Sequence, residues 1–596
     1  MTAATEPVPA ARPAPPPVAE QGPPPRHPPT PLAEVDAALA RLAASKDAWL
    51  RVTVPERIAL LDALLQGVLG VAEAWADGGA RLKGLDPASQ LAGEEWLAGP
   101  MVTVRNLRLL REALVAGGAP RPARVHTLPS GQSVARVFPT TSLDRLTMGG
   151  ITADVYIEPG KAPSQGRIYR EPKPAHGSVA LVLGAGNVSS IAPMDALYKL
   201  FVEDEVVLLK MNPVNEHVGP RLEKAFEPLV AAGYFAIVYG GAEVGAHAAA
   251  HPLVDTLHVT GSDRTYDAIV WGGDAEERAR NKAAGTPRNP KPFTAELGCV
   301  TPVIVVPGPW SASDLAYQAR HVASMVAQNA SFNCNAAKVL VMARGWLQRE
   351  AFLTALHEEL GRTPRRRAYY PGAADRHRGF VEAYPRARAL GPTEVAEGEL
   401  PWTVIPDVPA RKGEYALTQE AFCGVLAEVS LDLAEDDPNH GFSRDPFPDP
   451  SRFLERATRF VNEECWGTLS CCLLVHPTTE ESHGPALQKA LGELRYGGIG
   501  VNCWPGLIYG LVSATWGAYP GHTKENIVSG AGVVHNTHLF DHPQKTVVRG
   551  NWRAFPKLPY FADHKNMAGL ARALMALEAE ATPGRFFAVV REALRG

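Results

Sequence analysis

Hydrophobic positions along the chain recur first at helical spacing and later in short unbroken runs, and the change of rhythm divides the sequence. Val35, Leu39 and Leu42 follow Thr30 and Pro31, which read as an N-cap and a first-turn proline. Ile58, Leu61, Leu65 and Val68 mark a second amphipathic helix starting near Pro55, and a third spans about residues 94–114. All three read as packing helices. Residues 137–169 turn to short β-like pieces, including the run from Ala153 to Ile157. Apolar runs then fall at Val179 to Leu183, Val206 to Leu209, Phe235 to Val238 and Leu257 to Val259. Helical stretches carrying Met194, Leu197 and Phe201, then Leu222, Phe226 and Leu229, separate the first three. Buried strands alternating with helices of that length predict βαβ units, a parallel sheet and an α/β fold class. A second α/β stretch covers about residues 302–501, and residues 567–594 read as amphipathic helix.

Composition narrows the classes. A chain of 596 residues calls for two or three compact units. Its 59 Lys and Arg against 63 Asp and Glu leave a net charge of −4, so no basic excess points to nucleic acid or a membrane surface. Twelve of the 53 prolines precede Leu32, so residues 1–30 read as a disordered Pro-rich leader. Glu6, Glu20 and the lack of an apolar core exclude a signal peptide there. No run of about 18 apolar residues occurs; the nearest, residues 501–514, is broken by Pro505, Gly506 and Gly510. Seven cysteines are odd in number and sparse, which favours free thiols in a reducing, cytoplasmic setting over a disulfide framework.

Several features invite chemistry and yield little. Gly184-Ala-Gly-Asn-Val-Ser189 follows a strand like a relaxed dinucleotide loop, but its third position is Ser and the next strand ends in Lys210 rather than an acid. His247 and His251 have metal-pair spacing without an adjacent acid, and His535, His538, Asp541 and His542 fit an assembly-strand surface; no metal is expected. The Arg-rich, Tyr-containing residues 362–378 read as a solvated insertion rather than a nucleic-acid patch.

Five segments in order carry a stronger signal: Val-Val-Leu-Leu-Lys210; Val259-Thr-Gly-Ser262; Glu296-Leu-Gly-Cys-Val-Thr-Pro302; Asn329-Ala-Ser-Phe-Asn-Cys334; and Glu420-Ala-Phe422-Cys-Gly. Together, over about 210 residues, they resemble the aldehyde dehydrogenase superfamily. The resemblance implies a cofactor-binding domain (residues 31–136 and 165–296), a catalytic domain (297–515), a small β oligomerisation element (137–164 and 525–550) and a helical tail (551–596). It implies Cys334 as nucleophile, because a thiolate adduct of an aldehyde can expel hydride. Asn187, 23 residues before Lys210 as in the family, becomes an oxyanion donor beside the backbone N–H of Cys334. Glu296 becomes the base that activates water for thioester hydrolysis. Lys210 would meet the adenosine ribose of NAD or NADP, Gly261 and Ser262 the pyrophosphate, Glu420 the nicotinamide ribose and Phe422 the nicotinamide. The implied substrate is a small aldehyde, and the implied assembly a homodimer or homotetramer.

The departures from the pattern are specific. Gly186 stands where the family has Trp, Ala196 where it often has Lys, and Pro213 where it usually has the acid that repels a 2′-phosphate. The last leaves NADP tolerated. A coenzyme-A-linked acyl reductase and a catalytically silent relative stay open beside aldehyde oxidation; Glu296 argues against the first, and Cys334, Glu296 and Asn187 together against the second.

Overall fold

The computed structural model describes residues 27–433 and 448–596. Most of the expected leader, residues 1–26, lies outside that range. Its last residues, expected to be disordered, are placed: Thr30 exchanges two hydrogen bonds with the Tyr239 backbone (3.0 and 2.9 Å), and the His27 ring stacks on Tyr239 at 4.7 Å.

The smaller of two large sheets runs Gly530–Ala531, Phe293–Leu297, Thr256–Gly261, Val179–Leu183, Val206–Lys210, Phe235–Val238. All its strands are parallel except Gly530–Ala531. Every residue of Val179–Leu183 and Val206–Lys210 is buried. Strands covered on both faces read as unbroken apolar runs, which is how they showed in the sequence. The chain lays three strands one way from Val179–Leu183 and then returns to lay two the other way. The connections therefore part between Val179–Leu183 and Thr256–Gly261, and a crevice opens beyond their carboxyl ends. Helices Leu32–Arg51 and Ile191–Phe201 pack on this sheet.

The larger sheet has eleven strands, in the order Arg124–Thr127, Ser133–Phe138, Thr152–Ile157, Pro543–Arg549, Gly498–Val501, Ser470–Leu474, Pro302–Val305, Val339–Ala343, Val425–Leu431, Trp402–Ile405, Arg388–Leu390. From Pro543–Arg549 to Trp402–Ile405 it is parallel. The antiparallel strands between residues 124 and 157 join it through Pro543–Arg549, so they continue the larger sheet. Each sheet organises its own apolar core.

The expected second helix is Val54–Leu82, opened by a capping box between Thr53 and Glu56. The expected third helix is broken: Gly93–Trp96, a wide turn over Leu97–Met101, then Val102–Val115. Pro100 has no N–H to give to the helical ladder, which widens around it. The tail forms Met567–Ala579 and Pro583–Ala593, and Glu578 docks it on Arg105 and Arg108. His535 and His538, expected on a surface, are buried.

Gly530 pairs with Glu296 across the sheet edge at φ +119°, and a Cβ there would overlap the Ala295 carbonyl oxygen. Gly530→Ala is expected to lose roughly 2 kcal/mol or more and to lower the thermal midpoint in calorimetry. Gly510→Ala, with nothing within 4 Å of the new methyl, is the comparison expected to leave the midpoint unchanged or raised.

Candidate active site

The helix Ala312–Ala327 leads into a loop with an unusual backbone. Asn329, Ala330 and Ser331 take φ values of 54°, 54° and 70° in succession. Left-handed geometry costs a non-glycine residue about 1–2 kcal/mol, so the surroundings must hold it. Cys334 follows three residues later and is half-buried, whereas the other six cysteines are buried. Its carbonyl accepts from Thr301 Oγ1 (3.1 Å) and Lys338 Nζ (3.2 Å), and Lys338 also donates to the carbonyls of Asn333 (3.1 Å) and Ala336 (3.2 Å). One buried ammonium thus gathers the carbonyls of the nucleophile turn.

Glu296 is the penultimate residue of its strand and reaches across to that turn. Its Oε1 lies 3.6 Å from Cys334 Sγ and accepts from the indole N–H of Trp516 at 2.6 Å. Burial pushes the Glu296 carboxyl up to about 8, and the charge of Asp195 adds to the shift; the Trp516 and Cys334 bonds oppose it. Burial also pushes the Cys334 thiol well above its ordinary range, and Glu296 and Glu420 reinforce this, while Lys338 pulls it back. The pair is a thiol in hydrogen-bonding reach of a carboxyl group whose affinity for a proton lies near neutral to mildly basic pH.

Asn187, on the loop after Val179–Leu183, donates from Nδ2 to the Phe332 carbonyl at 2.9 Å, two residues before Cys334. An amide nitrogen carries two hydrogens, so a second donor remains. The Asn187 carbonyl sits in a buried cradle. It accepts from Lys83 Nζ (3.2 Å), Asn329 Nδ2 (3.1 Å) and Tyr369 Oη (3.0 Å). Lys83 Nζ also meets Glu95 (2.6 Å) and Asn329 Oδ1 (2.9 Å). The Asn329 N–H points to Glu94 (3.3 Å), which pairs with Arg366 at 2.6 Å. These bonds fix the left-handed turn and tie the oxyanion-side loop to the nucleophile loop.

The remaining expected residues fall into two groups. Glu420 joins the nucleophile turn through Lys338, 3.3 Å from its Oε1. It fills the space beside Gly298, where any Cβ would overlap its carboxylate. The Phe422 ring lies 5.8 Å from Phe332 and 5.0 Å from Tyr370, with the Arg376 guanidinium 5.7 Å above it. Lys210, Gly261 and Ser262 line the carboxyl edge of the smaller sheet. Gly261 lies opposite Leu297, next to Glu296, and Ser262 caps the helix Asp263–Trp271. Burial brings the Lys210 ammonium down to about 8, against the charge of Glu216.

Comparison with known proteins bears on the fold. Residues 159–365 match the model of the aldehyde dehydrogenase family, a span that holds Asn187, Lys210, Gly261, Ser262, Glu296 and Cys334. Over that span, about a third of its length, the chain is similar to that family. Among solved structures it is similar to aldehyde dehydrogenase 21 from Physcomitrella patens in complex with the reaction product succinate, with TM-score 0.58 and 16% identity over 87% of this chain and 91% of that one. It is also similar to a Mycobacterium tuberculosis aldehyde dehydrogenase complexed with NAD+ (0.57, 18%, 88% and 91%). A third is an NADP-dependent glyceraldehyde-3-phosphate dehydrogenase from Bacillus halodurans complexed with NADP (0.56, 16%, 87% and 92%). At these identities the likeness shows the fold. No curated protein sequence matches the chain.

Within this aldehyde dehydrogenase fold, Gly186 at the family's Trp position has a local reason: a Cβ there would lie 2.6 Å from Asn212 Oδ1. The stretch 362–378, expected as a solvated insertion, is instead partly built into the site. Arg366 and Tyr369 belong to the cradle, and Tyr370 and Arg376 pack around Phe332 and Phe422. A guanidinium opposite a buried carboxylate cannot be told from a solvated one by composition. Sequence reading also missed Lys83, Glu94 and Glu95, on or directly after helices taken as bland, and Lys338 and Trp516. The mixed Arg and Tyr of residues 366–370 was the one legible signal.

Breaking one partner of a buried ion pair costs about 3–5 kcal/mol because the other charge is left alone. Lys83→Met is expected to lose stability on that scale in urea unfolding. Tyr369→Phe, which removes one neutral hydroxyl, is expected to lose about 1 kcal/mol. Equal losses for the two would contradict the cradle.

Proposed function

We propose that the protein oxidises a small aldehyde to its carboxylate with a nicotinamide cofactor, through a thioester on Cys334. The observation that carries this reading is the 3.6 Å approach of Cys334 Sγ to a buried Glu296, with the Asn187 amide tethered two residues from the nucleophile.

Glu296 takes the thiol proton and Cys334 Sγ bonds to the aldehyde carbon, whose oxygen becomes an oxyanion beside the second Asn187 donor. A bound nicotinamide supplies the acceptor for the hydride that this carbon loses. Once it has given up the thiol's proton, Glu296 takes one from water as the water oxygen bonds to the acyl carbon, and the C–S bond breaks to leave the Cys334 thiolate and the acid, which ionises to carboxylate. A carboxylate in reach of the acyl sulfur supports water, rather than coenzyme A, as the acyl acceptor.

The cofactor fits the residues present. The open space over Gly261, with only Val259 Cγ2 near at 3.6 Å, and the N-terminus of Asp263–Trp271 offer an anion site. Lys210 would face the adenosine ribose, and Glu420 and Phe422 the nicotinamide end. Pro213 supplies no acid to repel a 2′-phosphate, but Glu216 brings a carboxylate to Lys210 by another route, which favours NAD over NADP. Seven free cysteines support a reducing, cytoplasmic setting. The exposed edge strand Arg124–Thr127 supports pairing with another copy, as a dimer or tetramer.

Cys334→Ala is expected to abolish aldehyde oxidation, followed as reduced nicotinamide over an aldehyde panel, with folding and cofactor binding intact; retained turnover would refute the reading. Turnover limited by hydrolysis is expected to rise with pH through about 8, the value to which burial raises Glu296, because only the ionised carboxylate accepts a proton. Trp516→Phe removes an N–H that stabilises that carboxylate. A hydrogen bond to a charged group is worth about 1.5–3 kcal/mol, so the midpoint of the pH–rate profile should move up by about one to two units. An unmoved profile would contradict Glu296 as the titrating base.

A further inference from the structure

Behind Glu296, away from the thiol, lies a second set of buried polar groups that the proposed reaction leaves unused. Thr256, His258 and Thr260 alternate along their strand and so share one face, while Leu257 and Val259 belong to the apolar core. The helix Ile191–Phe201 packs against this strand, and it presents Asp195 and Lys199 one turn apart. Thr260 Oγ1 donates to Asp195 Oδ2 at 2.8 Å; His258 Nε2 hydrogen-bonds Thr260 Oγ1 at 3.3 Å and lies 3.4 Å from the same Asp195 oxygen. His258 Nδ1 meets Thr294 Oγ1 at 2.9 Å. Further along, Thr256 Oγ1 donates to Glu205 Oε2 (2.9 Å), which Lys199 Nζ meets at 3.2 Å, and Lys199 pairs in turn with Glu203, a third exposed.

This line begins at the proposed base. Thr260 lies opposite Glu296 in the sheet and His258 opposite Thr294. A cavity of about 10 Å³ is lined by His258, Thr294, Glu296 and Trp516, room for a single water. Glu296 Oε1 is engaged by Trp516 and Cys334, whereas its buried Oε2 has no hydrogen-bond partner within the protein. An unpartnered buried carboxylate oxygen is costly, and a water beside it removes the cost. The other titratable groups near Asp195 are Tyr509 and His535. Burial holds the Tyr509 hydroxyl well up and the His535 ring down to about 4, so both stay neutral near pH 7.

We propose that His258 relays the proton of Glu296 to the far side of the sheet through a water in this cavity. The inference rests on the hydrolytic reading above. When water attacks the thioester, its oxygen bonds to the acyl carbon, the C–S bond breaks and Glu296 holds the water's proton. Glu296 must lose that proton before the next cycle, and it must likewise lose the thiol's proton, taken during acylation, before it can accept one from the attacking water. It passes the proton to the cavity water, which releases one of its own to His258 on the Nδ1 side; the ring gives up its other proton from Nε2 to Thr260 Oγ1, which hands its own to Asp195. An imidazole that gains at one nitrogen and loses at the other needs no net movement. One helical turn beyond Asp195, Lys199 pairs with the partly exposed Glu203 on the way to solvent. His258 acts through Glu296 and touches no substrate.

The test uses the full chain and p-nitrophenyl acetate, which acetylates the thiol without cofactor. Nitrophenol release reports acylation, and intact mass reports decay of the acetyl adduct. His258→Gln keeps size and hydrogen bonding but carries no proton. It is expected to acylate within twofold of wild type and to deacylate about tenfold or more slowly, with the rise of decay with pH that Glu296 sets still present. Thr294→Val, isosteric in the strand, should slow decay a few-fold by freeing the ring, and it decides the matter if His258→Gln does not fold. Wild-type decay in Thr294→Val or in folded His258→Gln across the neutral range would overturn the relay, as would equal slowing of acylation and decay. A wild-type adduct that decays no faster than that of Glu296→Gln would instead remove the hydrolytic reading, and the relay with it.

Discussion

A carboxyl group held out of water beside a thiol is the constraint on which the rest of the site depends. Buried alone, Glu296 would sit protonated and inert; in water it would be too weak a base. At 3.6 Å from Cys334, with one indole N–H as its strongest support and Asp195 behind it, its proton affinity is raised to about 8. That balance asks two things of the fold. The strand carrying Glu296 must end under the nucleophile turn, which the parallel sheet and its Gly530 edge supply. The turn must be held rigid, although it contains three successive left-handed residues, none of them glycine.

The rigidity comes from charge buried in pairs. Lys83 with Glu95, and Arg366 with Glu94, surround Asn329 and the Asn187 carbonyl, and Lys338 gathers three carbonyls around Cys334. Paired and hydrogen-bonded charges of this kind add little net stability over an apolar packing. Here they contribute position: the loops carrying Asn187 and Cys334 are bonded to the same small set of atoms. The strain in the turn is held by this cradle, and the two belong to one design.

Much of this was legible in the sequence, and the reasons it was legible are local. Val179–Leu183 and Val206–Lys210 are buried on both faces, so their apolar runs gave the parallel sheet directly. Cys334, Glu296 and Asn187 sit in motifs whose order and spacing survive, and the structure brings all three to one place. What was hidden depends on contacts between residues far apart in the chain. Lys83 directly follows a helix whose pattern reports only packing, and its partners Asn187 and Asn329 are some 100 to 250 residues away. The break at Pro100 was visible as a proline, but not its effect of placing Glu94 and Glu95 against the nucleophile loop. His535 and His538 looked exposed because clustered polar residues usually are, and the fold buries them. The stretch 362–378 was misread for the same reason.

The central claim is that Glu296 is the base that releases the acyl group to water, and replacing it with glutamine tests this most directly. Glu296→Gln keeps size and a hydrogen-bonding oxygen but cannot accept the proton. With aldehyde and NAD in rapid mixing, the variant should give a burst of reduced nicotinamide of up to one per active site. Steady turnover should then be slowed by roughly 10² to 10⁴, with an acyl adduct on Cys334 visible by intact mass. Unchanged steady turnover in buffer alone, or a wild-type enzyme that turns over only when coenzyme A is added, would contradict the account.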